Sequence, residues 1–126
     1  MRREVIATLT AAMIAAAPQG FAQTLTGGAT YSAFDLLSPC QEADNDARWG
    51  AAAEAECEQY LIGFVDALRV VGMIGGDSGI CPPALNTADE VRWAFMRWVH
   101  ADYSARGAMS ASEAVHATLR DSFPCN

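Results

Sequence analysis

The sequence predicts an all-α fold: a small antiparallel four-helix bundle stapled by two disulfides. Three observations lead there. Apolar residues recur at three- and four-residue intervals over several stretches, the spacing that lines one face of a helix. Thr87-Ala88-Asp89-Glu90 and Ser110-Ala111-Ser112-Glu113 each match the Ser/Thr-x-x-Glu box that opens a helix. No segment alternates apolar and polar residues for long enough to suggest a strand.

The N-terminus reads as a secretory signal. Arg2 and Arg3 precede an uncharged run, Val5 to Ala17, which Pro18 breaks. Gly20 and Ala22 place small residues at the −3 and −1 positions of a cut after Ala22. The run has thirteen residues, whereas a membrane span needs about 20. The chain therefore divides into a signal peptide at 1–22, a flexible mature N-terminus at 23–30 and one helical domain at 31–126. That arrangement predicts a periplasmic protein with no membrane span after cleavage. Cutting 22 of 126 residues leaves 104, enough for one modest core.

Charge narrows the partners. Loss of Arg2, Arg3 and Glu4 moves the formal charge from −7 to −8, and the chain has no lysine. Such a surface repels phosphate backbones, which argues against nucleic acid. It can speed encounter with a basic protein.

Helix one is expected from Ser32, with Asp35 three residues on as its first-turn acid. Phe34, Leu37 and Cys40 recur at helical spacing, but Pro39 predicts a break or kink around 37–40. Polar residues 43–50 read as a loop. Helix two is expected over about 51–71, with Cys57, Leu61, Phe64, Leu68 and Val71 on one face. Gly63 within it suggests that another backbone comes close. Gly72, Gly75, Gly76 and Gly79 then end the helix and make a flexible loop, stiffened beyond Cys81 by Pro82-Pro83. The two capping boxes place helix three at about 88–102, burying Val91, Ala94, Phe95 and Trp98. They place helix four at about 111–122, burying Ala114, Val115 and Leu119.

Four cysteines in a small exported domain read as a disulfide framework with three pairings open. Helices joined by short loops tend to alternate in direction. Alternation puts Cys40 and Cys57 at one end of the bundle and Cys81 and Cys125 at the other. The expected bonds are therefore Cys40–Cys57 and Cys81–Cys125.

Nothing selects catalysis. His100 and His116 stand without partner motifs, and there is no G-x-S-x-G, H-E-x-x-H, P-loop or C-x-x-C. No cofactor or metal is expected. Asp35, Asp66 and Asp89 read as caps and solvated carboxylates. Trp93 and Trp98 are five apart and do not share one narrow stripe, so Trp93, Met96 and Trp49 are candidates for exposure at a protein interface. Exposed Trp93 and Met96 also leave a homodimer open.

The order of residues resembles a known family. Leu36-Leu37-x-x-Cys40 is followed by Cys57-x-x-Tyr60-x-x-Gly63-x-x-Asp66-Ala67, then Cys81-x-Pro83, two capped helices and Phe123-Pro124-Cys125. This pattern, over about residues 31–125, resembles the Rap/Tai family of immunity proteins. These guard bacteria against amidase toxins delivered by type VI secretion. Gln59, His100-Ala101 and the longer stretch from Tyr103 to Met109 depart from the usual pattern. The resemblance implies a non-enzymatic periplasmic inhibitor, often dimeric, that blocks a peptidoglycan-cleaving cysteine amidase. The expected contact is the loop Asp102–Met109, with Tyr103 and Arg106 as anchors and Met109 and Trp93 alongside. Two other readings fit the same residues: a periplasmic stress or chaperone-like protein, or a family member with an envelope role and no toxin partner.

Overall fold

The computed structural model describes residues 30–126. The expected signal peptide at 1–22, and all but the last residue of the flexible stretch at 23–30, lie outside the described residues. Five helices follow in order: α1 Ala33–Asn45, α2 Gly50–Val70, α3 Thr87–Ala101, α4 Tyr103–Gly107 and α5 Ala111–Ser122. Four are the helices expected from the sequence. The fifth, α4, is a single turn inside the stretch expected to be a loop.

Capping explains where α1 and α5 start. The Ser32 hydroxyl accepts from the Asp35 amide at 3.2 Å, and the Asp35 carboxylate accepts from the Ser32 amide at 2.8 Å. Ser110 and Glu113 repeat the exchange at 3.3 Å each way. Both boxes satisfy orphan amides and put a negative charge on the positive helix end. The α3 box does not form. Asn86 is the cap, in left-handed backbone at φ 52°, with no side-chain bond. The Thr87 hydroxyl instead donates to the Pro83 carbonyl at 2.6 Å, so the Pro82-Pro83 approach consumes the group that would have capped.

Pro39 does not break α1, and Cys40 lies inside the helix rather than at its end. A proline at this position removes the donor that would reach the Asp35 carbonyl. The Tyr31 hydroxyl supplies it, donating to that oxygen at 3.2 Å. The end of α2 follows the glycine reading. Gly72 takes φ 74°, its amide donates to Arg69 O at 3.1 Å, and the Met73 amide donates to Leu68 O at 2.8 Å. These two bonds are the Schellman stop. Val71, expected in the core, is exposed because it sits at that stop. Gly63 has no close neighbour: a Cβ there would meet nothing within 4 Å. The tight glycines are Gly50, where a Cβ would lie 2.7 Å from the Ala43 carbonyl, and Gly107, where it would strike the Phe34 ring.

The core gathers Leu36, Leu37, Leu61, Val65, Ile80, Val91, Phe95, Val99, Val115 and Leu119. Met96, a candidate for exposure, is buried with them. Phe64 and Trp98 pack against this core only in part. Ile80 pins the glycine-rich loop into it, and its neighbour Cys81 donates its amide to Phe123 O at 2.8 Å. The helix starts at α1 and α5 are joined by two reciprocal backbone bonds of 2.8 Å, Ala33 N to Met109 O and Ala111 N to Tyr31 O. First and last long helices therefore begin side by side.

Both expected disulfides are present, Cys40–Cys57 and Cys81–Cys125, and no cysteine among the described residues is free. They span 17 and 44 residues. Chain entropy alone makes them worth about 3 and about 4 kcal/mol. Beside the first lies Arg92, only 3% exposed. Its Nη1 donates to the Cys40 carbonyl at 3.4 Å and to Asp44 at 3.0 Å; its Nη2 donates to Asp89 at 3.0 Å. Nε is buried without a hydrogen bond, and the Glu58 carboxylate stands 3.9 Å away. Burial opposes the Arg92 charge, but the bonds from Asp89 and Asp44 outweigh it and hold its pKa above the ordinary value. Burial first, then repulsion from Glu54, push Glu58 upward; Arg92 partly offsets them and Asp89 adds to them.

Four outcomes follow. Gly63→Ala should stabilise the protein by up to about 1 kcal/mol in urea unfolding, because it gains helix propensity without a clash. Gly107→Ala should destabilise it, because the Phe34 ring must move. Arg92→Ala should cost about 2–3 kcal/mol, below the ~3–5 of a wholly buried pair, since Asp44 and Asp89 remain half in water. Glu113 is held below its ordinary 4.5 by the Ser110 hydroxyl and then the Ser110 amide. Its charged form therefore favours the fold at neutral pH, and that contribution is lost as pH falls through the folded value. The gap in unfolding midpoint between wild type and Glu113→Gln should be full at pH 7 and close as pH falls below the ordinary carboxylate range; a gap constant with pH would contradict this.

Candidate functional site

The outer side of α1 organises the exposed aromatic surface. Tyr31, Trp49, Trp93 and Tyr103 are exposed, and each lines a depression on one flank of α1. On the flank facing α3 and α4, one depression of about 500 Å³ is lined by Phe34, Leu37, Gln41, Glu42 and Tyr103 among others. A neighbouring one of about 330 Å³ includes Gln41, Asp44, Asn45, Trp93, Met96 and His100. Gln41 joins the two, its Nε2 lying 2.7 Å from His100 Nε2.

The four residues singled out for partner contact do not share one environment. Tyr103 is 51% exposed and opens α4. Its ring packs on Phe34 at 4.7 Å and stacks on His100 at 5.6 Å. Trp93 is 43% exposed on α3, with the Arg92 guanidinium 5.2 Å from its ring. Arg106 faces inward: Nη1 donates to the Trp98 carbonyl at 2.7 Å, and the guanidinium lies 4.2 Å from the Trp98 ring. Met109 packs against the core in part. Tyr103 and Trp93 are therefore presented to solvent, while Arg106 and Met109 secure the α4 turn that carries Tyr103.

The opposite flank, between α1 and α2, was not singled out as a whole. It is a groove of about 560 Å³ lined by Tyr31, Phe34, Asp35, Glu42, Trp49 and Glu56 among others. Trp49, 59% exposed, occupies the N-cap of α2 and makes no side-chain cap bond. A capping residue there would add about 1 kcal/mol. Asp46 fixes the turn instead, accepting from the Arg48 amide at 2.7 Å and the Trp49 amide at 2.8 Å. The Tyr31 hydroxyl is pushed above the usual phenol range by burial first and then by Glu56.

Among the described residues, no group of three His, Cys, Asp or Glu side chains could hold a metal ion. None of the described helices is long and apolar enough to cross a membrane. The sequence profile of the Rap1a immunity proteins matches residues 32–125. The chain belongs to the Rap1a immunity protein family. No curated protein and no solved structure matches it. Membership gives a Rap1a chain an immunity-type function, with a protein toxin as its partner, in a family that is generally non-enzymatic. The motif that carried the resemblance is partly packed and partly displayed in this Rap1a protein. Tyr60 packs at a tilt against Tyr31, with ring centroids 5.5 Å apart, whereas Gly63 is exposed and Asp66 pairs with Arg69 on the surface.

Exposed aromatics on a rigid helical frame suit recognition of a protein. Tyr103→Ala should lower the unfolding midpoint only modestly, because half of its ring is in water while the rest packs on Phe34 and His100. Arg106→Ala should lower that midpoint, because the side chain bridges α4 to Trp98. Equal effects in thermal unfolding would show the two residues to be structurally equivalent.

Proposed function

We propose that this protein is a periplasmic inhibitor that binds a peptidoglycan-cleaving amidase toxin delivered by type VI secretion and blocks its cleft. Membership of the Rap1a family carries the reading. Two disulfides support passage through an oxidising compartment. They also favour binding physically, because a stapled frame loses little conformational freedom on docking. The contact on the α3–α4 flank is Tyr103, on the turn held by Arg106 and Met109, together with Trp93 on α3. An α4 turn projecting into a cleft excludes substrate without any chemistry of its own.

The test is a lysis assay. A papain-like amidase of the type VI class is directed to the periplasm, with and without the protein. Co-expression should prevent lysis. A Tyr103→Ala/Trp93→Ala double variant that folds normally should bind the amidase at least about tenfold more weakly and protect less. Lysis at the same rate with the wild-type protein present would overturn the proposal.

A further inference from the structure

Trp49 is an unusual choice for its position. It stands at the start of the longest helix, where a short polar side chain would cap the free amides. It makes no such bond and is instead displayed to solvent. Its setting is rigid. Asp46 binds two successive amides of the turn, and the Gly50 amide donates to Asp46 O at 2.8 Å. Gly50 is packed so tightly on the Ala43 carbonyl that no side chain fits, which holds the start of α2 against the end of α1. A large aromatic on a fixed turn loses little freedom when it is covered, and tryptophan dominates protein interfaces for that reason.

The groove beside it states what should cover it. Its lining includes the Asp35, Glu42 and Glu56 carboxylates, and no cationic side chain. Asp35 is committed to the α1 cap. Glu42 and Glu56 face solvent; Glu42 accepts one bond, from the Ser38 hydroxyl at 3.2 Å, and Glu56 lies 3.4 Å from the Tyr31 hydroxyl, whose single proton serves the closer Asp35 carbonyl. Tyr31 and Phe34 complete an aromatic floor between these charges. Arg48 lies 5.0 Å from one face of the Trp49 ring and is the nearby cation of this chain, but it does not line the groove.

The geometry points to the α1–α2 groove as a second contact with the toxin: it receives a surface loop carrying Lys or Arg, anchored by Trp49 and paired with Glu42 and Glu56. The inference rests on the immunity reading and adds to it the far flank of α1. An apolar stem laid on Tyr31, Phe34 and Trp49, with its cationic head between two carboxylates, matches the chemistry of a long basic side chain. The chain's excess of acid over base gives the same loop a favourable approach.

The experiment measures affinity of the mature protein for the amidase of the lysis assay, inactivated at its nucleophile, at low and high salt. Trp49→Ala should weaken binding at least about tenfold at both salts. Glu42→Gln/Glu56→Gln should weaken it at low salt, with the difference shrinking at high salt. Leu85→Ser, exposed but outside the groove, should bind as wild type. Thermal midpoints confirm that each variant is folded. If wild type binds and both groove variants bind equally well, the groove is not a toxin contact, while the immunity reading stands. If Trp49→Ala changes only the sedimentation of the free protein, the groove is an interface between copies and the inference is overturned. If wild type does not bind, the amidase reading and this inference fall together.

Discussion

Arg92 is the constraint on which the arrangement of the helices depends. A single cation, almost wholly removed from water, holds α3 against α1 through Cys40 O and Asp44 and stands beside Glu58 of α2. A buried guanidinium is tolerable only where several acceptors converge on it. Here the acceptors come from α1 and from α3 itself, with Glu58 of α2 only 3.9 Å away, so the covalent staple of α1 to α2 and the ion cluster act on the same place. The staple restrains α1 against α2, and Arg92 sets α3 upon that pair. Without Arg92 three carboxylates would face one another, and Glu58 is already pushed towards its neutral form.

With α1 held from behind, its outer side becomes a frame for recognition. Trp93 projects from α3, next in sequence to Arg92, so the residue that locks the helix also fixes the register of an exposed tryptophan. Tyr103 is placed by α4, whose close approach to Phe34 requires Gly107. Trp49 is placed by the tight turn between α1 and α2, whose close approach requires Gly50. Each flank of α1 therefore combines a glycine that permits contact with an aromatic that is displayed because of it. This combination gives the immunity function a physical form: binding energy concentrated in a few large side chains whose positions are settled before the partner arrives.

Much of the fold was legible because its signals are local. Ser32, Ser110 and Gly72 act on residues within a few positions of themselves, and the helix ends they mark are where the sequence places them. The Cys40–Cys57 pair could be read because the short turn after α1 brings the facing ends of α1 and α2 together; Cys81–Cys125 is the expected bond although a long connection carries Cys81. Other features depend on residues distant in sequence. Pro39 looks disruptive until Tyr31 supplies the missing donor. Thr87 looks like a cap until Pro83 takes its hydroxyl. Arg92 looks like one more surface arginine, since nothing near it announces that Asp44 and Glu58 arrive from two other helices. Tyr103 and Trp93 stand out by type alone, whereas the inward turn of Arg106 depends on Trp98. The joint between the starts of α1 and α5 left no signature, because its bonds are made by backbone atoms.

The central claim is that the aromatic flanks of α1, fixed by the Arg92 cluster and the first disulfide, form the recognition surface. Amide hydrogen exchange on the protein, free and bound to the inactivated amidase, tests it most directly. New protection should concentrate over residues 46–53 and 102–109, the turns that carry Trp49 and Tyr103. Protection that instead covers residues 70–86, where Val70, Val71 and Leu85 are exposed, and leaves the flanks of α1 unchanged would contradict the account.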